Sequence, residues 1–211
     1  MQAFNFSGLS ARDIHVWRGD RKVLGGVSVD AAAGTCVHVA GPNGSGKTTL
    51  LRVLAGFLAP EQGSVIWGGR PIGADRDAYC ASFSYLAHSD GLKPELTARE
   101  NLVFEVGLRR RFEAAEIDDA LSRVGLAASR DQAAAVLSAG QRRRLAMARV
   151  MLAAAPLWIL DEPFTNLDGT GVTLVTAIIT SHLDRGGAAV MAAHQPPSIP
   201  NHSPRRVDLA T

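Results

Sequence analysis

Nine residues indicate the architecture of this chain: Gly41-Pro42-Asn43-Gly44-Ser45-Gly46-Lys47-Thr48-Thr49. They match the pattern G-x-x-x-x-G-K-[ST], in which glycines let the backbone curl so that successive N–H groups point into one concavity. The apolar run at 35–40 predicts a short buried strand before the loop, and residues 47–58 predict a helix after it. Such a loop binds phosphate, because the following helix adds its positive N-terminal end. The sequence therefore predicts nucleotide binding.

The segments around this loop alternate between strands and helices, as in an α/β fold. Antiparallel strands are predicted around residues 14–17, 23–29 and 64–67. From 97 to about 135 the pattern is helical with charged faces, and apolar runs at 157–160 and 188–192 predict buried parallel strands. We therefore expect a single domain over 1–211, with a helical insertion at roughly 90–150.

Composition and charge exclude several classes of protein. A chain of 211 residues is long enough for one domain with a full core, and a net charge of +2 does not indicate a nucleic-acid partner. Its two cysteines, Cys36 and Cys80, indicate neither a disulfide framework nor a zinc site. The apolar run at 150–160 is broken by Pro156 and is shorter than the roughly 18 residues of a membrane-spanning helix. Because the N-terminus also lacks a basic, apolar leader, we expect a soluble, cytoplasmic chain.

An apolar strand ending in two carboxylates is predicted at 157–163, Leu157-Trp158-Ile159-Leu160-Asp161-Glu162-Pro163. Asp161 would lie beside the phosphate loop, where it can hold Mg²⁺ together with the Thr48 hydroxyl. Lys47 supplies a positive charge for the β and γ phosphates, and Glu162 can polarise a water for attack on the γ-phosphate. The alternative is that these polar residues only cap the strand.

Two further features support a site at this edge of the sheet. His194 follows the strand at 188–192, and although a histidine there is often structural, parallel strands end at a common edge. The pentapeptide Leu137-Ser138-Ala139-Gly140-Gln141 predicts Ser138 as the N-cap of a helix that begins around Gln141. Alone the pentapeptide is a weak signal, but it lies between the phosphate loop and the carboxylate strand.

In chain order these motifs are the phosphate loop at 41–49, the pentapeptide at 137–141, the carboxylate strand at 157–163, Asn166-Leu167-Asp168 and His194. With this order, the chain resembles the ATP-binding subunits of ABC transporters over nearly all of its length. The resemblance implies a P-loop NTPase of the ABC ATPase type, with a RecA-like core sheet, an N-terminal antiparallel β subdomain and an inserted α-helical subdomain. It also implies ATP and Mg²⁺ as ligands, with residues 41–49 around the ATP phosphates. Glu162 would then be the general base, and His194 would contact the γ-phosphate.

The same resemblance implies a homodimer in which two copies pair head to tail. Ser138 and Gly140, with Gln141 nearby, would contact the γ-phosphate of ATP bound to the other copy. Asp168 would belong to the loop that crosses this interface. Trp17 looks like the aromatic residue that stacks on adenine, although a tryptophan near an N-terminal strand is as often a packing residue.

One position departs from the pattern of the family. His88 stands where most such subunits carry a glutamine, and since Mg²⁺ prefers oxygen ligands we expect His88 to sense nucleotide through a water or a hydrogen bond. The segment around it, YLAHSDGLKPELTARENL at 85–102, is similar to the ATP-binding subunit of the bacterial haem exporter for cytochrome c maturation. So is PLWILDEPFTNLD at 156–168.

That similarity implies an integral membrane permease as partner, which would hold the chain peripherally at the cytoplasmic side of the bacterial inner membrane. No direct haem ligation is expected, because the sequence contains no Cys-x-x-Cys-His pattern. Three alternatives remain open: an ATPase subunit of a lipid, drug or solute transporter, a mechanical ATPase acting on ribosomes or DNA, and a nucleotide-binding regulator. Glu162 argues against the regulator, and the short chain argues against the mechanical ATPase.

Overall fold

The computed structural model describes residues 3–4, 6–195 and 198–209. In chain order its elements are β1 (Leu9–Arg18), β2 (Arg21–Ala31), β3 (Cys36–Ala40), α1 (Lys47–Leu54), β4 (Gln62–Trp67), β5 (Arg70–Pro71), α2 (Arg76–Ser82), β6 (Phe83–Leu86), α3 (Ala98–Gly107), α4 (Ala114–Arg123), α5 (Ala139–Leu152), β7 (Leu157–Asp161), α6 (Gly169–Asp184), β8 (Ala188–Ala192) and β9 (Arg205–Asp208). Single 3₁₀ turns lie between α4 and α5, at Ala127–Ser129 and Ala134–Val136.

The strands form two sheets. The first is antiparallel with the order β2-β1-β4-β5, and the second has the order β6-β7-β8-β3-β9 with every neighbouring pair parallel. Helices α3, α4 and α5 all come between β6 and β7 in the chain, where the sequence predicts a helical insertion. The predicted α/β class, with an antiparallel N-terminal part, is confirmed.

Both faces of the parallel sheet are buried. Along β7, Trp158 and Leu160 pack into a core cluster with the helices, while Leu157 and Ile159 pack into a second cluster with the antiparallel sheet and α1. Alternate side chains of a strand point to opposite faces, so a strand buried on both faces is apolar along most of its length. This explains the continuous apolar runs that located β7 and β8 in the sequence.

Helix α1 is shorter than predicted. It ends at Leu54, whereas the sequence predicts a helix over 47–58. Gly56 adopts a φ of +71°, a left-handed conformation that is accessible to glycine at little cost and that ends helices. The apolar residues that follow, Phe57 and Leu58, continued the helical pattern in the sequence and hid this end.

The helix at the pentapeptide begins two residues before the predicted start at Gln141. The Ser138 hydroxyl accepts a hydrogen bond from the Gln141 N–H (3.1 Å), and the Gln141 side-chain oxygen accepts one from the Ser138 N–H (2.8 Å). This reciprocal pair is a capping box, which satisfies N–H groups that the first turn leaves free. Ser138 is therefore the N-cap of α5, as the sequence predicts.

Within the described ranges, no helix is both long and apolar enough to cross a lipid bilayer.

His182 on α6 is a buried neutral histidine. Its ring stacks on Trp158 at 3.8 Å between centroids, and its Nε2–H lies within hydrogen-bonding distance of the carbonyls of Pro156 (3.1 Å) and Ala188 (3.2 Å). Nδ1 is buried and has no hydrogen-bond partner among the described residues, so a proton there would be unsatisfied. Burial lowers the pKa of His182 to about 4.

We expect the free energy of unfolding to fall as the pH drops through the interval between the unfolded and folded pKa values of His182. The unfolded chain takes up the proton near pH 6.5 and the folded chain only near pH 4, so stability rises with pH between these values. Between pH 7 and pH 5 the loss is on the order of 2 kcal/mol. Urea unfolding at both pH values, for the wild type and for His182→Phe, measures it. An equal pH dependence in the two proteins would contradict this account.

Candidate nucleotide site

A cavity of about 750 Å³ opens at the carboxyl ends of the parallel strands. The phosphate loop and the start of α1 contribute six of its lining residues, Asn43, Gly44, Gly46, Lys47, Thr48 and Thr49. Asp161 at the end of β7 lines the same cavity, as do His88, Glu162 and His194, which follow β6, β7 and β8. The structure thus brings together side chains that the sequence assigned to one site, because parallel strands end at a common edge.

The phosphate loop has the conformation that its glycines allow. Gly46 adopts a φ of +97°, and a Cβ there would lie 2.9 Å from the Leu24 side chain. A Cβ on Gly41 would lie 2.5 Å from the Ser45 hydroxyl. Larger residues at both positions would therefore strain or displace the loop. Gly41, Pro42 and Ser45 shape the loop without lining the cavity.

Lys47 lies inside the curve of this loop. Its ammonium group donates hydrogen bonds to the carbonyls of Gly41 (2.8 Å) and Pro42 (3.1 Å), and the residue is only 9% exposed. A positive charge held at this point attracts anionic oxygens that enter the cavity. The loop and Lys47 together therefore form a site for a phosphate chain.

Thr48 and Asp161 place two oxygen atoms next to each other. The Thr48 hydroxyl donates a hydrogen bond to Asp161 Oδ2 (2.8 Å), which joins the first turn of α1 to the end of β7. Mg²⁺ takes oxygen ligands and usually binds through one or two protein groups, waters and substrate phosphates. This donor set fits Mg²⁺, and no group of three or more His, Cys, Asp or Glu residues able to hold another metal occurs in the described part of the chain.

Glu162 lies at the mouth of the cavity beside His194. The distance between Glu162 Oε1 and His194 Nε2 is 3.8 Å, and the Glu162 side chain is 14% exposed, whereas that of His194 is 62% exposed. Glu162 has a φ of +52°, a left-handed conformation that costs on the order of 1 kcal/mol for a residue with a Cβ. Its N–H donates to the Ala192 carbonyl (2.8 Å), which fixes this conformation to β8. The carboxylate can accept a proton from a water in the cavity.

The pentapeptide residues lie outside this cavity. Ser138, Gly140 and Gln141 belong to the first turn of α5, and none of them lines the cavity. A Cβ on Gly140 would lie 2.7 Å from the Asn166 carbonyl, so this turn packs closely against the loop after β7. The N-terminus of α5 is therefore a second surface, separate from the pocket of Lys47.

Asp168 belongs to the loop that packs against this second surface. Its Oδ1 accepts a hydrogen bond from the Gly171 N–H (2.7 Å) and caps α6. Like the pentapeptide residues, Asp168 does not line the cavity.

Trp17 precedes a cavity-lining residue but does not itself line the cavity. Its ring stacks on that of His15 with centroids 5.6 Å apart, and Lys22 Nζ lies 5.1 Å from the ring centroid. Its neighbour Arg18 does line the cavity. In this structure Trp17 is a packing residue of the β1–β2 hairpin, and its contact with adenine stays a prediction.

Three arginines that line the cavity were missed by sequence reasoning, Arg18, Arg21 and Arg52. Arg52 could have been found, because it lies four residues after Thr48 on α1 and so on the same helical face. Arg18 and Arg21 lie at the end of a hairpin, and their position depends on how the antiparallel sheet packs against the phosphate loop. No local pattern signals that packing.

The fold and the cavity define an ATP-binding protein of the ABC transporter class. A family model described as "ABC transporter" matches residues 24–165, which contain the phosphate loop, the pentapeptide and the carboxylate pair. A solved structure of a putative ABC transporter ATP-binding protein from Pyrococcus furiosus has a TM-score of 0.83 and 26% identity, over 96% of this chain and 97% of that one.

Curated relatives narrow this class further. The cytochrome c biogenesis ATP-binding export protein CcmA of Methylococcus capsulatus is 46% identical over 88% of this chain and 90% of that protein. The CcmA protein of Escherichia coli K12 is 41% identical over 95% of this chain and 96% of that protein. The chain belongs to the ABC transporter family and, within it, to the CcmA group of cytochrome c biogenesis ATP-binding export proteins.

Proposed function

We propose that this protein is the ATP-hydrolysing subunit of an exporter that acts in cytochrome c biogenesis, with haem as the exported group. One observation carries the proposal. A phosphate loop, a magnesium-type oxygen pair, a carboxylate and a histidine line one cavity, in a chain 41–46% identical to CcmA proteins over about 90% of its length. The pocket binds ATP as its substrate.

The phosphate chain of ATP binds along the loop. Backbone N–H groups of residues 43–48 and the Lys47 ammonium hold the β and γ phosphates, so Lys47 exchanges its hydrogen bonds to the loop carbonyls for phosphate oxygens. Thr48 and Asp161 would hold Mg²⁺, which would neutralise charge on the phosphates. Arg18 and Arg21 lie on the hairpin side of the cavity, where they add positive charge.

Hydrolysis uses the residues at the ends of β7 and β8. Glu162 orients a water and takes its proton as the water attacks the γ-phosphate, and the bond from the γ-phosphorus to the bridging oxygen breaks, so that ADP leaves. His194, which lies beside Glu162 in the same cavity, donates a hydrogen bond to the γ-phosphate, and His88 contacts it through a water. Each position follows a buried strand, so the protein holds the reacting groups without large rearrangement.

The site is completed by a second copy of the chain. Ser138 and Gly140, with Gln141 nearby, lie outside the cavity of their own subunit, yet they present the N-terminus of α5, a surface suited to anions. In a head-to-tail homodimer they contact the γ-phosphate of the other copy, and Asp168 lies in the loop at the interface. ATP binding therefore closes the dimer and hydrolysis allows it to open.

The dimer acts on an integral membrane permease of the cytochrome c maturation system. The subunit itself is peripheral at the cytoplasmic side of the bacterial inner membrane, and it neither ligates haem nor binds nucleic acid. Closing and opening of the dimer drives this partner, because the export pathway lies in the membrane.

Membrane association in the presence of the partner tests this proposal. We expect the chain to stay in the supernatant when expressed alone and to move to the membrane fraction when expressed with the multi-span protein encoded beside it. Sedimentation and immunoblotting measure both, with an unrelated multi-span protein as the control. Sedimentation with ribosomes or nucleic acid, or no shift with the partner, would remove the export proposal.

A further inference from the structure

Arg143 is a charged side chain buried between three segments of the site. It lies on α5 and is 2% exposed. Nη1 donates to the Ala87 carbonyl (2.8 Å) and to Asp90 Oδ1 (3.2 Å), and Nη2 donates to the carbonyls of Glu162 (2.8 Å) and Asp161. One guanidinium group therefore joins α5, the loop at 87–90 that carries His88, and the end of β7.

The chemistry of this contact requires an arginine. A guanidinium group is a rigid planar fork whose two ends can each hold a different pair of acceptors, whereas an ammonium group is a single point of charge. A buried charge is costly unless it is well bound, and in the described part of the chain Asp90 is the one carboxylate that pairs with it. Nε has no hydrogen-bond partner among the described residues, which adds to this cost. The hydrogen bonds of Arg143 fix the positions of the carbonyls that it binds.

Among these acceptors, the carbonyl of Glu162 bears most directly on the site, because it belongs to the proposed general base. Glu162 is held in a left-handed conformation with a φ of +52°. Its N–H is fixed by the Ala192 carbonyl and its own carbonyl by Arg143, so both sides of the residue are constrained. The direction of the Glu162 carboxylate toward the cavity follows from this backbone conformation.

We propose that Arg143 is a positioning residue of the ATPase site, which holds Glu162 in its conformation and ties the His88 loop to it. The inference rests on the proposed function, in which Glu162 is the general base. Ser138 caps the helix that carries Arg143, so a second copy that closes on Ser138 acts on the same rigid element as the guanidinium group. Dimer closure is thereby transmitted to the general base of the adjacent site.

Arg143→Met and Arg143→Lys test this role, with Arg144→Met as the matched control. Arg144 is the next residue on α5, and its Nη1 donates to the carbonyls of Val124 (2.6 Å) and Gly125 (3.1 Å), away from the cavity. We expect Arg143→Met to lower kcat by about tenfold or more while the Kd for ATP changes by less than about threefold. Arg143→Lys should lie between Arg143→Met and the wild type, and Arg144→Met should stay within about twofold of the wild type.

Hydrogen exchange provides a readout that does not depend on hydrolysis. We expect faster exchange in the peptides 84–92 and 157–166 of Arg143→Met than in the wild type, and no such change in Arg144→Met. If Arg143→Met does not fold, the same measurements are made on Arg143→Lys and Asp90→Asn, because both substitutions nearly keep the side-chain volume.

Three results would overturn the inference: an equal loss of kcat in Arg144→Met, a Kd for ATP that weakens by the same factor as kcat, or unchanged exchange at 157–166. A wild type that does not hydrolyse ATP would sink the proposed function instead. Exchange at 84–92 and 157–166 would still decide the positioning role of Arg143.

Discussion

Replacing Glu162 by glutamine is expected to reduce ATP hydrolysis by on the order of a hundredfold or more, while ATP binding stays within about threefold of the wild type. Glutamine has nearly the same shape, and the backbone bonds that fix this position, from the Glu162 N–H to Ala192 and from Arg143 to the Glu162 carbonyl, do not involve the carboxylate. An amide cannot accept the proton of the attacking water. Steady-state phosphate release and equilibrium binding of a fluorescent ATP analogue measure the two effects.

This substitution is also expected to accumulate a dimer in ATP, because closure no longer leads to hydrolysis. Light scattering would give about twice the monomer mass of 22.3 kDa with ATP, and the monomer mass without it. Glu95→Gln is the matched control, since Glu95 is exposed and does not line the cavity. Unchanged turnover in Glu162→Gln would remove Glu162 as the general base.

Replacing Lys47 by alanine is expected to weaken ATP binding by on the order of a hundredfold, which corresponds to about 3 kcal/mol. The loop keeps its shape from glycine conformations, but the charge that the loop surrounds is lost. The matched control is Lys93→Ala, because Lys93 Nζ lies over the Phe104 ring, 4.6 Å from its centroid, and does not line the cavity. Equal affinities in the two variants would show that Lys47 does not hold the phosphates.

Much of the fold could be predicted from local patterns. Strand β8 has the predicted bounds, because a strand buried on both faces forms a continuous apolar run. Strand β7 extends one residue past its apolar run, to Asp161. The end of α1 was misplaced, since Gly56 stops the helix within an apolar sequence. Strand β9 was missed, because its charged residues pair with β3 at the edge of the sheet and show no apolar alternation.

The residues of the candidate site that belong to sequence motifs could be predicted. The glycine loop, Asp161, Glu162 and His194 were placed together because each lies at or just after the end of a buried parallel strand, and the cavity is lined by Asp161, Glu162, His194 and most of the loop. The roles of these residues in binding and hydrolysis remain predictions. Ser138 was located from the pentapeptide, and its role as N-cap of α5 was predicted because serine is a preferred N-cap residue.

Contacts between distant segments could not be predicted. A run of three arginines on a helix, such as Arg142-Arg143-Arg144, is typical of a solvated face. The middle arginine is nevertheless buried and binds carbonyls more than 15 residues away in either direction along the chain. The left-handed conformation of Glu162 likewise depends on its hydrogen bonds to Ala192 and Arg143. Such features arise from the packing of elements and have no local signal.

Mixed dimers test most directly the central claim that two copies complete each site head to tail. In a Glu162→Gln background, one variant carries Ser138→Asp, which keeps an N-cap but repels phosphate, and the other carries Lys47→Ala. We expect each variant alone to remain monomeric in ATP, and an equal mixture to form heterodimers with one ATP each, because only one composite site is intact. Light scattering with bound-nucleotide analysis measures this. Dimers of the Ser138→Asp variant alone, or no dimers in the mixture, would contradict the head-to-tail site.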